Sequence, residues 1–112
     1  MFRNPIPLFS VTAVALAAVA AAAQAEGDAK AGAIKGETCI GCHGVQTYYN
    51  VYPSYHVPKL VGQHPEYILA ALKAYKSGER THPTMNAQSN SMSDEDMADI
   101  AAWIATLSDK EE

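Results

Sequence analysis

Cys39, Cys42 and His43 fall within one short run, Cys39-Ile40-Gly41-Cys42-His43. Side chains at i and i+3 share one face of a helical turn, so both thiols can reach one flat group together. A histidine directly after the second cysteine completes the attachment pattern of a c-type haem. In that reading Cys39 and Cys42 form thioethers with the two vinyl groups of the porphyrin. The His43 imidazole then lies under the iron as its proximal ligand. Gly41 and Gly44 let the backbone pass close to the ring.

Other chemistries of this triad explain less of it. A structural zinc site takes four ligands, usually two such pairs. This chain has two cysteines in all, and His56, His64 and His82 show no paired zinc spacing. A thioredoxin-like redox pair needs a strand-helix-strand setting, and no strong strand pattern lies nearby. A simple disulfide leaves the adjacent histidine without a role.

An iron that only exchanges electrons takes a second axial ligand, usually methionine or histidine. Met97 falls on the apolar face of a helix and reads as core. Met92 precedes Ser93, a helix-capping residue, and is placed to staple against Met97. Met85 follows Pro83 in a polar stretch with no apolar stripe to join. The elimination favours Met85, with His82 and Met92 as the remaining options.

The elements that must position these residues are helical. Glu26 to Thr38 is rich in Ala, Lys and Glu and reads as a short helix running into the cysteine motif. Gly32 and Gly36 within it suggest a second helix crossing closely. Gly44 to Gly62 is a long connection broken by Pro53 and Pro58. It holds Tyr48, Tyr49, Tyr52 and Tyr55, which are expected to pack on a haem edge or to form a docking patch. Pro65 opens the next helix at a favourable first position, with Ile68, Leu72 and Tyr75 on one face and Gly78 as its stop. Glu79 to Met92 reads as a loop. Ser93 caps the last helix, helped by Asp94, Glu95 and Asp96 at the positive end of its dipole. Met97, Ile100, Ala101, Ile104 and Leu107 form its apolar face, with Trp103 beside them. These are three main helices with long loops, an all-α chain of one domain.

Both ends carry further information. Arg3 is the only charge before Glu26, and Leu8 to Ala23 is apolar apart from Ser10 and Thr12. Ala23-Gln24-Ala25 has the small-x-small form of a signal-peptidase site. Residues 1–25 are therefore expected to be a signal peptide cleaved after Ala25, with residues 26–112 as the exported, periplasmic domain. A domain that small buries little core of its own, and a covalent apolar haem would supply the missing part. Without Arg3 the net charge is −5, unevenly spread. Residues 81–112 carry −6, whereas residues 59–80 carry +2 through Lys59, Lys73, Lys76 and Arg80. The acidic balance argues against nucleic acid. Solvated helix faces are the ordinary reading of such asymmetry.

Taken together, these residues resemble the class I cytochromes c, in particular the small bacterial periplasmic ones and the single halves of the dihaem type. The resemblance covers most of residues 28–107. It rests on Cys-Ile-Gly-Cys-His at 39–43, on Pro58-Lys59-Leu60-Val61-Gly62-Gln63, on Pro83-Thr84-Met85, on Ser93-Asp94-Glu95-Asp96 and on Ala101-Ala102-Trp103. It implies the class I cytochrome c fold around one covalent haem c, with Cys39 and Cys42 as anchors and His43 and Met85 as axial iron ligands. It implies that the Pro58 carbonyl accepts the His43 N–H, and that the first and last helices cross near Gly32 or Gly36 and Trp103. It also implies that residues 59–80 and the Met85 segment border the haem, so the four cations are expected to ring its edge, the alternative being that they point apart and partners meet the tyrosines. The tyrosine-rich connection is longer than the common pattern.

The implied function is a soluble periplasmic one-electron carrier, or a haem subunit of a periplasmic oxidoreductase complex. No acid–base constellation marks an enzyme. The expected partners are redox proteins, free or membrane-bound, serving as donor and acceptor. No small-molecule substrate is expected, and the chain should be monomeric or weakly associated.

Overall fold

The fold was analysed in a computed structural model, which describes residues 26–52 and 54–108. The expected signal peptide lies outside the described residues. Five helices follow in order: α1 (Ala29–Lys35), α2 (Glu37–His43), α3 (Pro65–Ser77), α4 (Pro83–Asn90) and α5 (Asp94–Thr106). Among the described residues, none of the helices is long and apolar enough to cross a membrane. An isolated antiparallel bridge joins Tyr49 to His56.

Local chemistry sets each helix end. The Asp28 carboxylate accepts the Lys30 and Ala31 N–H groups at the start of α1. Gly36 separates α1 from α2, so the single helix expected over Glu26–Thr38 is two short ones. His64 precedes Pro65 at the start of α3, and Gly78 ends that helix with φ +81°, a conformation that costs glycine little. Ser93 opens α5 with a reciprocal capping box. Its hydroxyl accepts the Asp96 N–H at 3.0 Å, and the Asp96 carboxylate accepts the Ser93 N–H at 3.0 Å.

The expected loop over Glu79–Met92 contains α4, and this is a correction. Its polar sequence gives no apolar stripe from which to read a helix. Tertiary hydrogen bonds supply what periodicity does not. Asn86 donates to the carbonyls of Tyr75 at 2.7 Å and Arg80 at 2.9 Å, and accepts the His82 N–H at 2.7 Å. The helix is thus tied to the end of α3.

The core lies between α3 and α5. Ile68 and Leu72 meet Met97, Ile100, Ala101 and Ile104, with Met97 wholly buried. α1 crosses α5 at backbone contact. A Cβ on Gly32 would lie 2.0 Å from the Asp99 carbonyl oxygen and 2.8 Å from the Trp103 Cβ. The crossing near Gly32 and Trp103 is the one that the resemblance implies. It fixes α1, and the α2 segment that follows, against the last helix.

Candidate haem site

An apolar cleft of about 260 Å³ opens between α2, the 44–64 connection, α3 and α4. Cys39, Cys42 and His43 reach it from α2, Pro58 from the connection and Met85 from the first turn of α4. All five candidate site residues thus converge on one cavity.

The His43 ring is held from behind. Its Nδ1 lies 2.7 Å from the Pro58 carbonyl oxygen. A carbonyl can only accept, so Nδ1 carries the proton, and a neutral ring then has a bare lone pair on Nε2. The His43 carbonyl also accepts the Leu60 N–H at 2.9 Å, which closes the connection back onto the end of α2. Cys39 and Cys42 are not joined in a disulfide. Burial pushes the Cys39 thiol above its ordinary pKa, the mark of an apolar wall. Among the described residues, no three His, Cys, Asp or Glu side chains cluster to hold a bare metal ion.

On the opposite wall the elimination that favoured Met85 is less selective than it was in the sequence. Met85 and Met92 both pack against the core cluster, and both also line the cleft with His82. His82 is engaged in capping α4, where its Nδ1 accepts the Met85 N–H at 3.4 Å.

The tyrosine segment divides. Tyr55 lines the cleft, whereas Tyr49 is exposed and Tyr52 is 92% exposed. The expected basic ring divides too. Arg80 lines the cleft, its guanidinium 4.7 Å over the Tyr75 ring, while Lys73 lies along a separate groove between α3 and α5. Sequence spacing separates neither pair, because each depends on how the connection and α3 face the cavity.

Comparison with known proteins identifies the architecture. The cytochrome c family profile matches residues 29–108. The chain belongs to the cytochrome c family. It is 40% identical over 82 residues to cytochrome c4 of Pseudomonas aeruginosa, across 73% of this chain and 39% of that protein. It is 40% identical over 83 residues to cytochrome c-554(548) of Halomonas halodenitrificans, across 71% of this chain and 96% of the relative. It is also 34% identical over 79 residues to the cytochrome subunit of sulfide dehydrogenase of Chlorobaculum tepidum, across 70% of this chain and 68% of that subunit. The chain spans about two-fifths of the Pseudomonas protein and nearly all of the Halomonas one.

Membership gives this all-α cytochrome c a covalent haem c with its iron as cofactor, and haem-based electron transfer as its chemistry. The donor set of the cleft fits that group. It offers two thiols from one turn, an imidazole with a free Nε2, and a thioether, in an apolar lining.

Proposed function

We propose that the mature chain is a soluble periplasmic one-electron carrier with a single haem c, and that it is not itself an enzyme. Cys39 and Cys42 would hold the haem through thioether bonds, and His43 and Met85 would hold its iron. The observation that carries this reading is the convergence of these four residues on one apolar cleft. When bound, haem supplies an iron that cycles between ferric and ferrous states, and a methionine ligand favours the ferrous one.

The chain's own residues then have separate tasks. The Pro58 carbonyl holds the His43 N–H and so orients the Nε2 lone pair and keeps it basic. Ile68 and Leu72 beside the cleft exclude water, which lowers the local dielectric. If His43 and Met85 both hold the iron, no coordination position would be left for a substrate. Partners are redox proteins that dock on the surface, where charge steers encounter.

Export supports the periplasmic assignment through Ala23-Gln24-Ala25, with cleavage before Glu26. The relative in sulfide dehydrogenase is compatible with a second reading, in which the chain is a haem subunit held in an oxidoreductase complex.

The test is an electrochemical titration of the purified, haem-loaded protein, followed by carbon monoxide. A carrier gives a one-electron wave and binds little carbon monoxide in the ferrous state. Rapid stoichiometric binding would mean an open iron and a ligand-binding or catalytic haem. Co-purification with a stable larger enzyme would favour the subunit reading.

A further inference from the structure

The tyrosine segment reaches across the cleft at one point. The Tyr55 hydroxyl lies 2.9 Å from the Thr84 hydroxyl, so that either can donate. The Tyr55 ring also meets the His82 ring edge-on, with centroids 4.6 Å apart and planes at 90°. His82, the N-cap of α4, and Thr84, in its first turn, both precede Met85 closely, and His82 accepts the Met85 N–H.

We propose that Tyr55 is a positioning residue that latches the first turn of α4, and with it Met85, across the cleft. The inference rests on the reading of Met85 as an axial ligand.

Met85 stands on a short polar helix that Asn86 ties to the Tyr75 and Arg80 carbonyls on the α3 side, while its own side chain packs against the core cluster. From the opposite wall of the cleft, Tyr55 adds a second support at the opening turn. Tyr55 meets it twice, through the hydroxyl and through the ring. The segment is itself anchored on both sides of Tyr55. Asn50 donates its N–H to the Tyr55 carbonyl at 2.9 Å, and Val57 donates to the Tyr48 carbonyl at 2.8 Å. A latch with both ends held lowers the fraction of time in which Met85 leaves, because departure must break its contacts as well.

The test uses the haem-loaded, full-length mature protein and imidazole as the probe. Imidazole binds ferric iron only when the methionine is off, so its apparent affinity reports the Met85-off population. Loss of one hydrogen bond should raise that population roughly two- to tenfold. We expect Tyr55→Phe and Thr84→Val each to tighten imidazole binding by about this factor. In combination they should do little more than either alone, because both remove the same bond. Tyr55→Ala, which also removes the ring contact, should exceed Tyr55→Phe. Tyr52→Ala, in the same segment but exposed, should match wild type.

Unchanged imidazole affinity in Tyr55→Phe overturns the proposal, even if the melting temperature falls. Full additivity of Tyr55→Phe and Thr84→Val overturns it as well. Met85→Ala separates the two levels of the argument. If that variant leaves spectrum and imidazole affinity as in wild type, the axial assignment fails and the latch fails with it. If it changes both while Tyr55→Phe changes neither, only the latch fails.

Discussion

The Nδ1 of His43 lies 2.7 Å from the carbonyl oxygen of Pro58, fifteen residues later in the chain. One hydrogen bond thus joins the helix that carries the cysteine motif to the connection that closes the cleft. It sets the tautomer of the ring and the direction of its free lone pair.

Pro58→Ala tests that bond gently. The carbonyl remains, but the backbone that aims it loses the fixed proline φ. A less well-aimed acceptor makes His43 a poorer electron donor, and the ferric state loses stabilisation. The reduction potential should rise, by up to about 60 mV if the redox equilibrium shifts tenfold. A potential that stays put or falls would remove Pro58 from the tuning of the iron.

Covalent attachment depends on the two thiols. Cys39→Ala combined with Cys42→Ala should abolish haem staining in denaturing gels and leave a poorly folded chain, since the small core lacks its largest apolar part. Surviving stain in the double variant would refute the assignment of the anchors.

Helix crossing makes a sharper prediction about stability. Gly32→Ala places a Cβ 2.0 Å from the Asp99 carbonyl oxygen. Backbone must move, so the cost should exceed about 3 kcal/mol, the upper end of ordinary overpacking. For a domain of this size that lowers the melting point by roughly 12 °C or more. A fall of less than a few degrees would show that α1 and α5 can separate freely.

That some helix crosses at Gly32 was legible from glycines within a helical pattern, and the family resemblance named the last helix as the partner. The Ser93 cap and the core stripe of α5 were legible in their own local patterns, whereas the return bond from Asp96 to the Ser93 N–H appears only in the fold. α4 was not legible, although Pro83 stands at its first position, as Pro65 does in α3. Its helix has no apolar periodicity, and Asn86 secures it through contacts with Tyr75 and Arg80 that no local pattern encodes. The latch by Tyr55 was equally hidden. Four tyrosines in one segment look alike until the fold turns Tyr55 into the cleft and Tyr52 into solvent. At Met85 the sequence argument proved weaker than it looked, since Met92 borders the same cavity.

Acid and base should both weaken the α1–α5 contact. Lys35 donates to the Asp99 carboxylate at 2.7 Å and lies 2.9 Å from that of Asp96, while Asp99, only 4% exposed, also accepts the Asp28 N–H at 2.7 Å. The hydrogen bond from Lys35 lowers the Asp96 carboxyl to about 2 and holds that of Asp99 below its ordinary value. The bonds to Asp99 and Asp96 in turn raise the Lys35 ammonium. Depressed carboxylates add stability above their ordinary range of about 4, which disappears as pH falls towards about 2. The raised ammonium adds stability below its ordinary value, which disappears as pH rises through its folded one. Lys35→Met should therefore lower the urea midpoint near neutrality, and the gap to wild type should narrow at about pH 2. A gap of the same size at both pH values would mean that the ion pairs contribute nothing.

The central claim is that His43 and Met85 bind the iron together. Oxidised and reduced absorption spectra of the mature wild type and of Met85→Ala test it most directly. The wild type should be low-spin and six-coordinate in both states. Met85→Ala should lose the sulfur-to-iron band and show a high-spin or water-ligated ferric iron with a markedly lower potential. Identical spectra in the two proteins would contradict it, and would direct the search to Met92 or His82.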